Sequence, residues 1–189
     1  MRLFIAASFP EPALRAISDR IAKVKSRLPS ASWARAETQH LTFAFLGEQP
    51  ESLLPRLAPI VESRLASLPR FEGRLRGGGF FPNRRHARVG WAGVEPEAPF
   101  RAVGDAVRGA VEEAGIALDR ADFRPHLTLF RIRDRWPPAC TEIFVGALQD
   151  YESEPFPVDG VTLFASELNP KGAIHTPLQK FALAQSLSS

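Results

Sequence analysis

The sequence predicts an α+β fold in which antiparallel sheets carry helices on their outer faces, and three observations predict it. Short apolar runs bounded by Gly and Pro alternate with longer stretches whose apolar residues step by three and four, the periods of strand and helix. The expected order is strand, helix, strand, helix, two strands, helix, strand and then further strands, and successive strands without a helix between them suit antiparallel pairing. The chain has 189 residues, 44% of them hydrophobic and spread along its length, enough for one sizeable domain or two lobes sharing a core.

Arg2–Ser8 is an apolar run stopped by Pro10, a buried strand. Leu14, Ile17, Ile21, Val24 and Leu28 form the stripe of an amphipathic helix, which Pro29 and Ser30 close. His40–Leu46 is a strand ended by Gly47. A second helix is expected over Ser52–Leu68, with Leu53, Leu57, Val61 and Leu65 on one face, although Pro55 and Pro59 sit awkwardly in it. Phe71–Phe81 and His86–Val94 are two strands joined around Pro82-Asn83-Arg84-Arg85. Phe100–Ala114 is a third helix, with Val103, Val107 and Val111 aligned and Gly115 as its stop. His126–Ile132 is a strand and Arg133–Pro138 a polar loop. Val158–Glu167 and Thr176–Ala184 close the chain as two strands around the turn Asn169-Pro170-Lys171-Gly172.

The formal charge is +3, and only Lys23, Lys25, Lys171 and Lys180 are lysines; the other basic residues are Arg. The planar Arg fork binds phosphate through two parallel hydrogen bonds, which suits an anionic ligand, though a GC-rich genome gives the same composition. Cys140 stands alone, which excludes an internal disulfide and a cysteine-built metal site. The apolar run Leu3–Phe9 is too short for a signal peptide or a membrane span. A soluble, cytoplasmic, monomeric protein with no membrane partner is expected.

One internal echo stands out: His40-Leu41-Thr42-Phe43 and His126-Leu127-Thr128-Leu129. With four histidines and six threonines in the chain, a given His has Thr two places on with a chance of roughly 3%, so two such histidines are a coincidence of about half a percent. Strand alternation puts His40 and Thr42 on one face and Leu41, Phe43 and Phe45 on the other. It likewise sets His126 and Thr128 against Leu127 and Leu129. One face is then core, and the other offers an imidazole beside a hydroxyl, twice.

Two such strands facing one cleft suit phosphodiester hydrolysis without a metal. A neutral His takes a proton from water, a protonated His gives one to the leaving oxygen, and both states exist near neutral pH. The hydroxyls of Thr42 and Thr128 can hydrogen-bond the non-bridging oxygens as charge builds on them. A single His-x-Thr is more simply a strand residue with a core neighbour; the matched pair is not.

These residues resemble the 2H phosphoesterases, a family named for two His-x-Thr motifs, and within it the bacterial and archaeal RNA 2′,3′-cyclic phosphodiesterases. The likeness spans Arg2-Leu3-Phe4-Ile5-Ala6, His40 to Glu48, Phe123 to Arg131, and Leu163-Phe164-Ala165-Ser166 with Thr176-Pro177-Leu178. It implies a bilobal fold of two antiparallel sheets lining a central cleft, with pseudo-two-fold symmetry. It also implies opening of a ribose 2′,3′-cyclic phosphate to a 2′-phosphate with no metal or cofactor, the partner being an RNA or nucleotide with that end. Some relatives join or cleave 2′-5′ linkages. By analogy His126 activates water and His40 protonates the leaving 3′-oxygen. One departure is His175, where relatives often carry Tyr.

Arg131 is open at this level. Strict alternation from His126 places it on the core face, whereas phosphate binding requires the cleft, which a bulge or the strand's end could supply; Arg124 is the fallback. His86, after Arg84 and Arg85, reads as surface charge, and Trp33, Trp91 and Trp136 read as packing rather than base-stacking groups. The rival from another class is a non-catalytic RNA-end binding module. A metal-dependent hydrolase is a poorer rival, because histidines 86 positions apart make no recognisable ligand set.

Overall fold

The computed structural model describes residues 1–119, 122–170 and 172–185, so Lys171 of the predicted turn lies outside the described residues. The first strand, β1 (Arg2–Ser8), leads into α1 (Glu11–Lys25), whose Ala13, Leu14, Ile17 and Ile21 are buried. The two-residue β2 (Ser32–Trp33) and the nine-residue β3 (His40–Glu48) follow. Next comes α2 (Leu54–Leu65), preceded by a short 3-10 turn. Pro55 lies in its first turn, where a missing N–H is harmless.

β4 (Phe71–Phe81) and β5 (Val89–Glu95) form the predicted hairpin, with His86 in the connecting turn and not in the strand. α3 (Glu97–Glu113) buries Phe100, Val103, Val107 and Val111, each at most 1% exposed. Burial of this kind contributes about 1.5–3 kcal/mol per side chain. β6 (His126–Arg131) carries the second motif. The helix α4 (Pro138–Leu148) was not assigned from the sequence; it buries Thr141, Phe144 and Leu148.

The late strands differ from expectation. Val158 belongs to β7 (Phe156–Val158), which pairs with β4, whereas β8 (Gly160–Asn169) pairs with β1. The chain passes from one sheet to the other at Asp159, so Val158–Glu167 is not one strand. β9 (Gly172–Ala182) starts earlier than Thr176 and completes a long hairpin with β8.

All pairings are antiparallel, in sheets of order β3-β1-β8-β9 and β2-β6-β5-β4-β7. α2 and α3 pack together, with α3 on β3 and α2 on β9; α1 packs on α4, and α4 on β4. Each helix pair therefore takes one member from each half of the chain. The buried side chains of both sheets form one continuous core. Among the described residues no helix is long and apolar enough to cross a membrane.

Candidate active site

β3 and β6, one from each sheet, approach each other directly, and the faces they turn to the gap line a cavity of about 830 Å³. His40, Thr42, His126, Thr128 and Arg131 all line it. Between His and Thr in each strand, Leu41 and Leu127 are fully buried on the opposite face. The period-two reading holds up to this point and then breaks, in both strands, at the same place.

Along β1, Ile5 pairs with Ala44 but Ala6 pairs with Thr42, which leaves Phe43 as an extra residue. Along β5, Gly90 pairs with Phe130 but Trp91 pairs with Thr128, which leaves Leu129 extra. Each bulge falls three residues after its histidine. An extra residue resets alternation, so Phe43 and Ala44 are both buried, as are Leu129 and Phe130. The next side chains on the cleft side are Phe45 and Arg131, and both line the cavity. Arg131 thus reaches the cleft by the bulge that strict alternation ignores. The same bulge overturns the core placement of Phe45, which is 64% exposed.

Both imidazoles are held from two sides. The ring of Phe4 stacks on His40 at 4.7 Å, and His175 meets His40 edge-on at 5.1 Å. Phe81 meets His126 edge-on at 4.8 Å. Nδ1 of His126 lies 2.6 Å from the Arg124 carbonyl oxygen. A carbonyl can only accept, so Nδ1 carries the proton and Nε2 is left for chemistry. His40 has the equivalent backbone partner in Thr38, again two residues back.

The electrostatics favour neutral rings in the free protein. Burial, reinforced by His175, lowers the pKa of His40 to about 4 against the pull of the Thr38 carbonyl. Burial also lowers that of His126, where the Arg124 carbonyl works in the opposite direction and the Arg131 charge adds to the lowering. His175 is lowered by burial as well. An anion placed between the two rings reverses this preference, because it stabilises imidazolium.

Arg124, the fallback ligand, lines the cavity, but its guanidinium pairs with Asp122 at 3.6 Å and it serves His126 through its carbonyl. The three tryptophans pack. Trp136 is 4% exposed with Nε1 donating to the Ser30 carbonyl; Trp33 lies on Phe130 at 4.4 Å, and Trp91 beside Phe81 at 5.2 Å. The sequence reading missed Arg2, Phe4 and Ser166, which line the cavity from β1 and β8. Phe4 was indistinguishable from the core residues around it, since β1 is apolar on both faces; the signal lay in the pairing of Phe4 with Phe45.

The arrangement suits proton transfer at both ends of one bond, with hydroxyl and guanidinium donors for an anion between them. Comparison with known proteins agrees with this geometry. Residues 10–170 match the family model described as the 2'-5' RNA ligase superfamily. The chain is 37% identical over 192 residues to an RNA 2',3'-cyclic phosphodiesterase of Thermus thermophilus, covering 97% of this chain and 90% of that one. It is 31% identical to the protein of that name from Methanothermobacter thermautotrophicus, over 97% and 99% of the two chains. Among solved structures, a Thermus thermophilus protein superposes with a TM-score of 0.77 at 33% identity, over 98% of this chain and 99% of that one. Escherichia coli LigT in its apo form superposes with a TM-score of 0.72 at 25% identity, over 97% and 98%. With both His-x-Thr strands facing one cleft and a match along nearly its whole length, this chain belongs to the 2′-5′ RNA ligase superfamily of 2H phosphoesterases.

Proposed function

We propose that the protein hydrolyses the 2′,3′-cyclic phosphate at an RNA end, or on a nucleotide, to a 2′-phosphate, without a metal. The observation that carries this reading is the matched set in one cavity: two imidazoles and two threonine hydroxyls on facing strands, with Arg131 alongside. Its relatives named as RNA 2',3'-cyclic phosphodiesterases supply the substrate class.

In the proposed step, neutral His126 accepts a proton from water at Nε2. The Arg131 charge favours the neutral ring it needs. The water oxygen bonds to phosphorus in line with the 3′-oxygen, the P–O3′ bond breaks, and His40 delivers a proton to O3′. Thr42, Thr128 and Arg131 hold the non-bridging oxygens as charge builds on them. His40 is almost entirely neutral at pH 7 when the site is empty, so it takes up its proton together with the anionic substrate. Water and one P–O bond are consumed, and a 2′-phosphate monoester and a free 3′-hydroxyl result.

The test is turnover of an oligonucleotide ending in a 2′,3′-cyclic phosphate, with the product identified by phosphorus NMR. Loss of the cyclic resonance and growth of a 2′-phosphate are expected. A product that is mainly 3′-phosphate overturns the seating of the ribose, and binding without turnover favours the non-catalytic RNA-end module.

A further inference from the structure

β4, β5 and β6 end or begin together at one edge of their sheet: Phe81 pairs with Val89, and Val89 with Arg131. Two connections leave that edge side by side, residues 82–88 and 132–137. They are joined by the Ile132 N–H donating to the Arg88 carbonyl at 2.8 Å and by Nη1 of Arg88 donating to the Arg133 carbonyl at 2.7 Å. Asn83 Oδ1 accepts from the backbone N–H groups of Arg85 and His86, both at 3.0 Å, which fixes the shape of the first loop.

Residues 82–88 and 131–135 hold six arginines and one aspartate, a net +5 in twelve residues. The chain as a whole is +3, so everything outside these two segments sums to −2. All six, Arg84, Arg85, Arg88, Arg131, Arg133 and Arg135, are exposed, and none is in an ion pair among the described residues. Elsewhere Arg15, Arg64, Arg74, Arg76, Arg101 and Arg124 each face a carboxylate. Solvated surface charge distributes; here the uncompensated cations gather at one edge.

The cluster is continuous with the cleft, since Arg131, Phe81 and Pro82 belong to both. The other mouth, beyond the start of β6, differs. Asp119 and Asp122 stand there, and Asp122 neutralises both Arg101 and Arg124 at 3.6 Å. A phosphodiester chain leaving the cavity is attracted at one mouth only.

We infer that the loops 82–88 and 132–135 form a track for the RNA strand on the 5′ side of the terminal cyclic phosphate. This rests on the proposed reaction and names what it leaves open, the part of the substrate beyond the reacting nucleotide. The backbone phosphates lie along Arg84, Arg85, Arg133 and Arg135, with Arg88 fixing the loops together. The contacts are to phosphates, so the track does not discriminate sequence, and an RNA end is preferred to a free cyclic nucleotide.

The test compares the wild type with Arg84→Ala/Arg85→Ala/Arg133→Ala, which leaves the cavity untouched, on a cyclic mononucleotide and on an octanucleotide with the same end. The variant is expected to keep its kcat/KM on the mononucleotide and to lose at least tenfold on the octanucleotide. Its log–log salt slope should be shallower by about 2, at roughly 0.7 per phosphate contact on a single strand. Equal octanucleotide efficiency and equal salt slopes in the two proteins overturn the track. If the wild type turns over neither substrate, the proposed reaction has failed separately. The track is then judged by fluorescence anisotropy with a 3′-phosphorylated octanucleotide, where weaker binding by the variant supports it and identical binding overturns it.

Discussion

Acid should destabilise this protein through His40, and removing that one ring should remove that part of the effect. In the folded state burial and His175 bring its pKa from 6.5 to about 4, while an unfolded chain returns it to about 6.5. Above pH 6.5 the ring is neutral in both states and contributes nothing to pH dependence. As pH falls below 6.5 the unfolded state binds the proton first, so stability is lost progressively until the folded ring also titrates near 4. Two and a half units at 1.36 kcal/mol each give a full loss of about 3 kcal/mol, of which about 2.5 kcal/mol is reached by pH 4.5. The perturbation is His40→Gln, which keeps a polar side chain of similar reach but carries no titrating proton. Urea unfolding of both proteins at pH 7 and pH 4.5 is the assay. The wild type should lose about 2–3 kcal/mol more than the variant over that interval, with NMR placing the His40 titration near 4. Equal losses in the two proteins, or a His40 that titrates at 6.5, would falsify the argument that the empty site holds this ring neutral.

Four further outcomes are expected. His40→Ala and His126→Ala should each reduce turnover of a cyclic-phosphate substrate by about two to four powers of ten, with Thr42→Ala and Thr128→Ala losing less; near-normal rates in a folded His variant exclude paired acid/base roles. The kcat/KM profile should be bell-shaped with its optimum on the acid side of 6.5, because both free imidazoles are lowered. On the alkaline side the acid has lost its proton, so the profile should fall there; a plateau from pH 6 to 9 contradicts this. Arg131→Ala should cost about 10–100-fold in kcat/KM, the worth of one charge-assisted contact, and should raise the NMR-measured pKa of His126 in the free protein. Phe130→Ala should destabilise by about 3–5 kcal/mol in denaturant titration, since this fully buried ring packs against Trp33, Trp136 and Phe144.

Periodicity located α1, α2, α3 and most strands because each of these buries a regular stripe. It missed α4, where Thr141 shares the buried face with Phe144 and Leu148 and two prolines open the segment, so the apolar stripe is interrupted. β2 is two residues long and too short to carry a period. At the site, His40, Thr42, His126 and Thr128 were legible because a repeated pattern needs no tertiary information. Phe45 was misplaced and Arg131 left open for one reason: a bulge is defined by the register of the neighbouring strand, and a single strand's alternation does not contain that register. The partners of His40 were out of reach for a related reason, since Phe4 and His175 come from 36 residues before it and 135 after.

The order in which the first sheet is assembled carries a consequence for synthesis. β1 can pair with β3 once about 48 residues have been made, but its other neighbour, β8, begins at Gly160. At about 5–20 residues per second, the ribosome leaves one edge of β1, with its row of unpaired N–H and C=O groups, open for roughly 5–20 seconds. Leu3 and Ile5, fully buried in the finished protein, are part of that waiting strand. Nascent chains halted before residue 160 should therefore be the aggregation-prone species, and release of the final hairpin is the event that ends the exposure. That hairpin also delivers His175 to its place beside His40, so the ring environment on which the site depends is the last part of the protein to be built.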